Sequence, residues 1–296
     1  MTAASAKSCV DDDAPKGLID ARNVGVIFGG NGGDVVAVQD VSIHVQPGEF
    51  VSLIGPSGCG KSTLLSIVAG FVRPTRGVAT LDGKPITRPG SDRGVVFQQY
   101  SLFPWLTVRK NVEFGLKMAG ADIDKRDTTA RSLLDLAGLQ AFENHYPDQL
   151  SGGMKQRIGI VRALAASPQV LLMDEPFGAL DSQTRVVMQE ILTNIWQQFG
   201  ISVLFVTHDI EESIFLSDRI YVMTARPGRV KAEIDVPLPR PRTAEMTDMP
   251  EFISLVHELK GLIREESLAA MGPELKHRSL AGFGMKVGPK TVRELF

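Results

Sequence analysis

FVSLIGPSGCGKSTLLSIVAG, residues 50–70, decides the reading of this chain. It opens on a short apolar run, FVSLI at 50–54, of the kind that forms a buried strand. A loop with glycines at 55, 58 and 60 follows, and helical spacing begins near Lys61. GPSGCGKST at 55–63 fits the pattern GxxxxGK[ST], and a strand before it and a helix after it make such a pattern a phosphate-binding site. The glycines at 55, 58 and 60, with Pro56 and Ser57 between, let backbone N–H groups converge on phosphate oxygens, and the helix N-terminus adds positive potential. Lys61 is expected to bridge the β- and γ-phosphates, Ser62 to offer a hydroxyl to Mg²⁺, and Thr63 to add a phosphate contact. Cys59 lies inside the loop, where Lys61 and the helix N-terminus favour a reactive, nucleotide-protected thiolate. Read plainly, it is a small space-filler.

Three further stretches carry chemistry. VLLMDEP at 170–176 is an apolar strand ending in adjacent carboxylates, which point to different sides if the strand geometry persists. Asp174 is then expected to hold Mg²⁺ and Glu175 to polarise the attacking water as general base. His208 ends another apolar run, at a strand end of the kind that lines a ligand crevice in open α/β sheets, and is expected to contact the γ-phosphate. LSGGMKQR at 150–157 opens a helix with a hydroxyl residue and two glycines, which fits a second anion site or an ordinary capped helix.

Outward from these, LIDARNVGVIF and VVAVQDVSIHV read as two strands about a Gly-rich turn at 29–33. GVVF (94–97), SVLFVT (202–207) and RIYVMT (219–224) are further buried strands, spaced as in a parallel sheet. A helix-rich insert is placed at about 98–165, where the apolar period changes. PLPRPRTAEMTDMP carries four prolines and reads as a linker. The helical stretch after it puts Phe252, Val256, Leu259 and Ile263 on one face. Residues 1–16 read as a flexible leader, and the last two dozen as an irregular, slightly basic tail.

The 296 residues are 43% hydrophobic with a formal net charge of −2, enough for a large core and without general attraction for nucleic acid or anionic lipid. Cys9 and Cys59 form neither a zinc pattern nor a disulfide framework. No run approaches the roughly 18 apolar residues of a spanning helix, so any channel must be another polypeptide.

In combination these motifs resemble the ATP-binding cassette family over about residues 17–237. The resemblance implies an α/β fold: a P-loop NTPase cassette with a mixed, largely parallel sheet core, an antiparallel β subdomain and a helical subdomain at about 98–165, followed by a linker, helix and tail at 238–296. Residues 55–63 look like its Walker A and VLLMDE its Walker B. Gln98 resembles its Q-loop glutamine, able to reach Mg²⁺ or the attacking water. FGALD (177–181) resembles its D-loop, which implies a nucleotide contact for Asp181, and His208 resembles its switch histidine. Phe28 falls where an aromatic ring stacks on adenine. LSGGM resembles the signature that completes the ATP site of the opposite cassette, so Ser151, Gly152 and Gly153 imply a dimer, in the simplest case of identical chains. Met154 stands where glutamine is more usual.

The implied activity is MgATP hydrolysis coupled to transport through a separate permease at the cytoplasmic face of the inner membrane, with a solute-binding protein acting indirectly. VFQQYSLFPWLTVRKNVEFGL and MTARPGRV are similar to the nitrate, sulfonate, taurine and bicarbonate importer group. An apolar cluster of Phe103, Pro104, Trp105 and Leu106 is expected to meet the permease or to pack inside the insert. The rival reading is a DNA-repair or chromosome-organising ATPase. Such proteins carry long coiled-coil or basic insertions, and the insert here is short, without heptads or a basic stripe.

Overall fold

The structure, a computed structural model, describes residues 15–30 and 33–270. Most of the expected leader, with Cys9, and the tail at 271–296 lie outside these residues. β1 (Ile19–Phe28) and β2 (Val35–Val45) form an antiparallel pair, with Ile19 opposite Val45 and Phe28 opposite Val35. β3 (Phe50–Ile54) is buried at every position and leads through the phosphate-type loop into α1 (Lys61–Ala69). β4 (Arg76–Leu81) and β5 (Lys84–Pro85) then extend the first sheet to the order β2-β1-β4-β5.

β6 (Arg93–Val96) precedes a helical layer of α2 (Val108–Met118), α3 (Ile123–Leu136) and α4 (Gly152–Ala165). Asn111, fully buried on α2, orders the loop before it: its Oδ1 accepts from Phe103 N–H at 2.9 Å and its Nδ2 donates to the carbonyls of Phe103, Leu106 and Thr107. The apolar cluster expected here divides. Phe103 packs on Phe114 with ring centroids 4.4 Å apart, whereas Trp105 is 71% exposed.

β7 (Val170–Asp174), α5 (Ser182–Phe199), β8 (Ser202–Val206), α6 (Ile210–Leu216), β9 (Arg219–Met223) and β10 (Val230–Asp235) complete a second sheet in the order β10-β9-β3-β8-β7-β6. Its five strands from β9 to β6 are parallel and β10 is antiparallel to β9. Parallel strands buried on both faces cannot alternate polar with apolar residues, which is why they read as continuous apolar runs. β3 lies between β8 and β9, so the segments leaving β3, β7 and β8 emerge along one carboxyl edge, where ligands sit in open α/β sheets.

The proline-rich stretch after Leu238 forms no strand, and it is fastened to the core. Arg242 is 5% exposed and donates to the carbonyls of Ile214, Phe215 and Ser217 at 2.6–3.0 Å, satisfying the C-terminal end of α6. Burial, helped by Arg240, pushes its pKa down to about 10. Arg240 stacks over the Trp196 ring at 4.1 Å and pairs with Asp218. α7 (Pro250–Ala270) then buries Phe252, Val256 and Leu259 in the core shared with β3 and α5. Arg242→Ala should lower unfolding stability by about 2–4 kcal/mol, because several buried carbonyls lose their donor. An unchanged urea midpoint would show the segment to be a loosely attached linker after all.

Candidate functional site

Helix α1 starts where it does because Gly60 allows the chain to turn. Gly60 has φ 105°, and a Cβ there would lie 2.8 Å from the Ala37 carbonyl oxygen and from Val38 Cγ2, so only glycine fits. Lys61, 6% exposed, folds back over the loop and its Nζ donates to the carbonyls of Gly55 at 2.9 Å and Pro56 at 3.0 Å. A cleft of about 240 Å³ opens beside it, lined on one side by Ser57, Gly58, Gly60, Lys61, Ser62 and Thr63. Phe28, 45% exposed, with Val35, Ala37, Glu175 and Arg226, completes the wall. A basic, backbone-rich floor with an exposed ring at its rim suits a nucleotide phosphate chain and base. A larger open groove of about 650 Å³, bordered by Asp82, Arg88 and Arg93, contains none of these groups.

Cys59 departs from the reactive-thiol expectation. It is 1% exposed, its thiol turned into the core beneath the loop with Leu64 and Met223, and burial raises its pKa despite Lys61 nearby. Loss of hydration disfavours the thiolate more than the neighbouring ammonium supports it. The space-filling reading is the one the packing supports.

Ser62 Oγ donates to Asp174 Oδ1 at 2.9 Å, joining the start of α1 to the end of β7. Burial raises the Asp174 pKa, opposed by this hydrogen bond. A hydroxyl beside a carboxylate is the hard-oxygen pair that suits a small divalent cation whose other ligands are phosphate and water. Among the described residues no group of three or more His, Cys, Asp or Glu could hold a metal ion.

The strand geometry expected to separate the two acids does not persist. β7 ends at Asp174, and Glu175 adopts φ 45°, a left-handed conformation that costs a non-glycine residue about 1–3 kcal/mol. Its N–H bonds to the Val206 carbonyl at 2.8 Å, tying the turn to β8. Glu175 Oε2 thereby lies 3.3 Å from His208 Nδ1 and accepts from Gln98 Nε2 at 3.4 Å. Residues following β6, β7 and β8 thus meet at one carboxylate.

Ser151 caps α4, its Oγ accepting from Met154 N–H at 3.3 Å. Neither it nor Gly152 or Gly153 lines the cleft. Met154 packs against the helical core instead of presenting a polar group. Asp181 does not line this cleft; it caps α5, accepting from Thr184 N–H at 3.0 Å and Thr184 Oγ1 at 2.7 Å, bonds that lower its pKa. Arg226, on the cleft wall, falls within MTARPGRV, a stretch whose sequence points to the importer group but assigns no role to this arginine.

The ABC transporter family profile matches residues 38–178. A nitrate import ATP-binding protein of Synechocystis sp. is 50% identical over 244 residues, covering 80% of this chain and 92% of the relative. A taurine import ATP-binding protein of Yersinia pestis is 46% identical over 236 residues, covering 78% and 92%. Among solved structures, a dimeric bacterial ABC transporter cassette is similar with TM-score 0.67 and 35% identity, covering 75% of this chain and all of that one. A dimeric post-hydrolysis state bound to ADP and phosphate is similar with TM-score 0.66 and 34% identity, at the same coverage.

Proposed function

Because the chain belongs to the ABC transporter family, we propose that it is the ATP-hydrolysing subunit of an importer for a small anionic solute, working as a pair of cassettes beneath a separate permease. The observation that carries the catalytic part is the meeting of Gln98, Glu175 and His208 beside the cleft that holds Lys61 and Ser62. Lys61 exchanges its loop carbonyls for β- and γ-phosphate oxygens. Glu175 takes the proton of the attacking water, with Gln98 and His208 fixing its carboxylate and the water between them. Phe28 offers a ring face to adenine.

Ser62 and Asp174, with Gln98 in reach, would hold Mg²⁺, which when bound offsets charge on the phosphate oxygens. Ser151, Gly152 and Gly153 lie apart from their own cleft, so they serve a second copy: the N-terminus of α4 meets the γ-phosphate held by the partner. The similarity to dimeric cassettes supports this arrangement. Gln98 leads from β6 into the helical layer, so closure of the pair moves the surface bearing Trp105, where the permease docks.

No helix among the described residues is long and apolar enough to cross a membrane, which suits a peripheral subunit at the cytoplasmic face. The DNA-repair alternative is not favoured, since the relatives are import proteins. Nitrate and taurine are named for the relatives, and the solute here is proposed from that class. Proteoliposomes holding the permease and this chain, with the solute-binding protein supplied outside, should take up labelled nitrate or taurine only with internal ATP. Uptake of neither, with ATPase intact, would remove the solute assignment.

A further inference from the structure

The segment after β9 forms one wall of the cleft. Thr224 N–H donates to the Arg229 carbonyl at 2.9 Å and closes a tight loop. Gly228 fastens that loop to the cassette: its N–H donates to the Ala37 carbonyl at 3.1 Å and its carbonyl accepts from Gln39 N–H at 2.8 Å. A Cβ on Gly228 would lie 1.9 Å from the Cys59 carbonyl oxygen, so the loop sits directly on the phosphate-type turn and no side chain could intervene. Arg226, at its tip, lines the cleft and donates through Nε to the Gly58 carbonyl at 3.3 Å. Among the described residues its two terminal nitrogens bond no protein atom, leaving the outer fork of a permanent cation facing the cleft.

The far side of the loop is held by α7. Ala225 N–H donates to Glu266 Oε2 at 2.9 Å, and Glu266 pairs with Lys231 at 2.8 Å on β10. Lys231 also pairs with Glu265 and donates to the Leu262 carbonyl, so the end of α7 is clamped beside the loop. A path of direct contacts therefore runs from the C-terminal helix to the phosphate-type turn.

We propose that Arg226 is a nucleotide-binding residue that grips the phosphate chain from the loop beside the turn, and that Glu266 is a positioning residue that sets its reach. This rests on the cleft being the ATP site. Planar bidentate donors suit phosphate better than a carbonyl, so Arg226 turns from Gly58 toward the bound phosphates. The C-terminal helix thereby contributes to nucleotide affinity in a way that packing alone would not.

Calorimetric binding to the full chain tests this, with ATP and inorganic tripolyphosphate as probes. Arg226→Ala should weaken both by about tenfold, and Arg226→Lys should recover part of the loss. Glu266→Ala should raise the ATP KM by about threefold with kcat held, and Glu266→Gln, which keeps an acceptor oxygen for Ala225, should restore it. A wild-type protein that binds ATP alongside an Arg226→Ala variant that binds it equally well overturns the proposal. So does a loss confined to ATP with tripolyphosphate unaffected, which would put Arg226 on the base or ribose. A fall in kcat matching the KM change in Glu266→Ala would reduce Glu266 to a structural contact. Failure of the wild-type protein to bind ATP at all would remove the nucleotide-site reading, and this proposal with it.

Discussion

Glu175→Gln should cut ATP turnover by about a hundred- to a thousandfold while leaving ATP binding in place, the loss expected when a positioned general base cannot accept a proton. The amide has the carboxylate's shape, so the left-handed turn at residue 175 and its bond to Val206 stay as they are. Only proton acceptance and the charge facing His208 Nδ1 are lost. With hydrolysis blocked and both halves of the site intact, the ATP-bound pair should accumulate. Size-exclusion chromatography in MgATP should then show a dimer that dissolves when nucleotide is removed. Turnover at the wild-type rate would dismiss Glu175 as the base. A monomer in saturating MgATP, with turnover blocked, would dismiss the shared site made with Ser151, Gly152 and Gly153.

Lys61→Ala should weaken ATP binding by about a hundredfold, the scale of losing a partly desolvated charged contact to phosphate. The ammonium is nearly enclosed and has the carbonyls of Gly55 and Pro56 as its only oxygen partners among the described residues. It therefore sits at the mouth of the turn, ready to exchange neutral carbonyls for phosphate oxygens of full charge. Removing it also leaves those carbonyls without their donor, so a thermal-stability measurement should accompany the binding isotherm. Unchanged ATP affinity in a folded Lys61→Ala protein would take Lys61 out of the phosphate contacts. The Ser62 to Asp174 bond does not involve Lys61, so the acidic half of the site should stay in place.

Much of the architecture was readable because its signals are local. FVSLI, VLLMD and SVLFV announce strands through continuous apolar runs, and each is observed as one. The spacing of Phe252, Val256 and Leu259 likewise marks the buried face of α7. β4 escaped notice because Gly77 and an exposed first half blur its pattern. Arg242 escaped notice because an arginine among prolines reads as solvated, and only the carbonyl ends of α6 explain its burial.

The sequence alone determined which residue types were available to chemistry: a glycine-rich turn with one lysine, two acids at a strand end, a histidine at another, and a capped Ser-Gly-Gly helix start. Each is a short pattern whose meaning depends on residues a few positions apart. Tertiary structure alone decided which groups face one another. The turn at Glu175 aims that carboxylate at Gln98 and His208, 77 and 33 residues away in the chain, and close packing drives the Cys59 thiol inward. Glu266 reaches Ala225 across 41 residues to hold the loop beside the phosphate-type turn. Burial and long-range hydrogen bonding depend on what the rest of the chain brings alongside, and no local pattern contains that information.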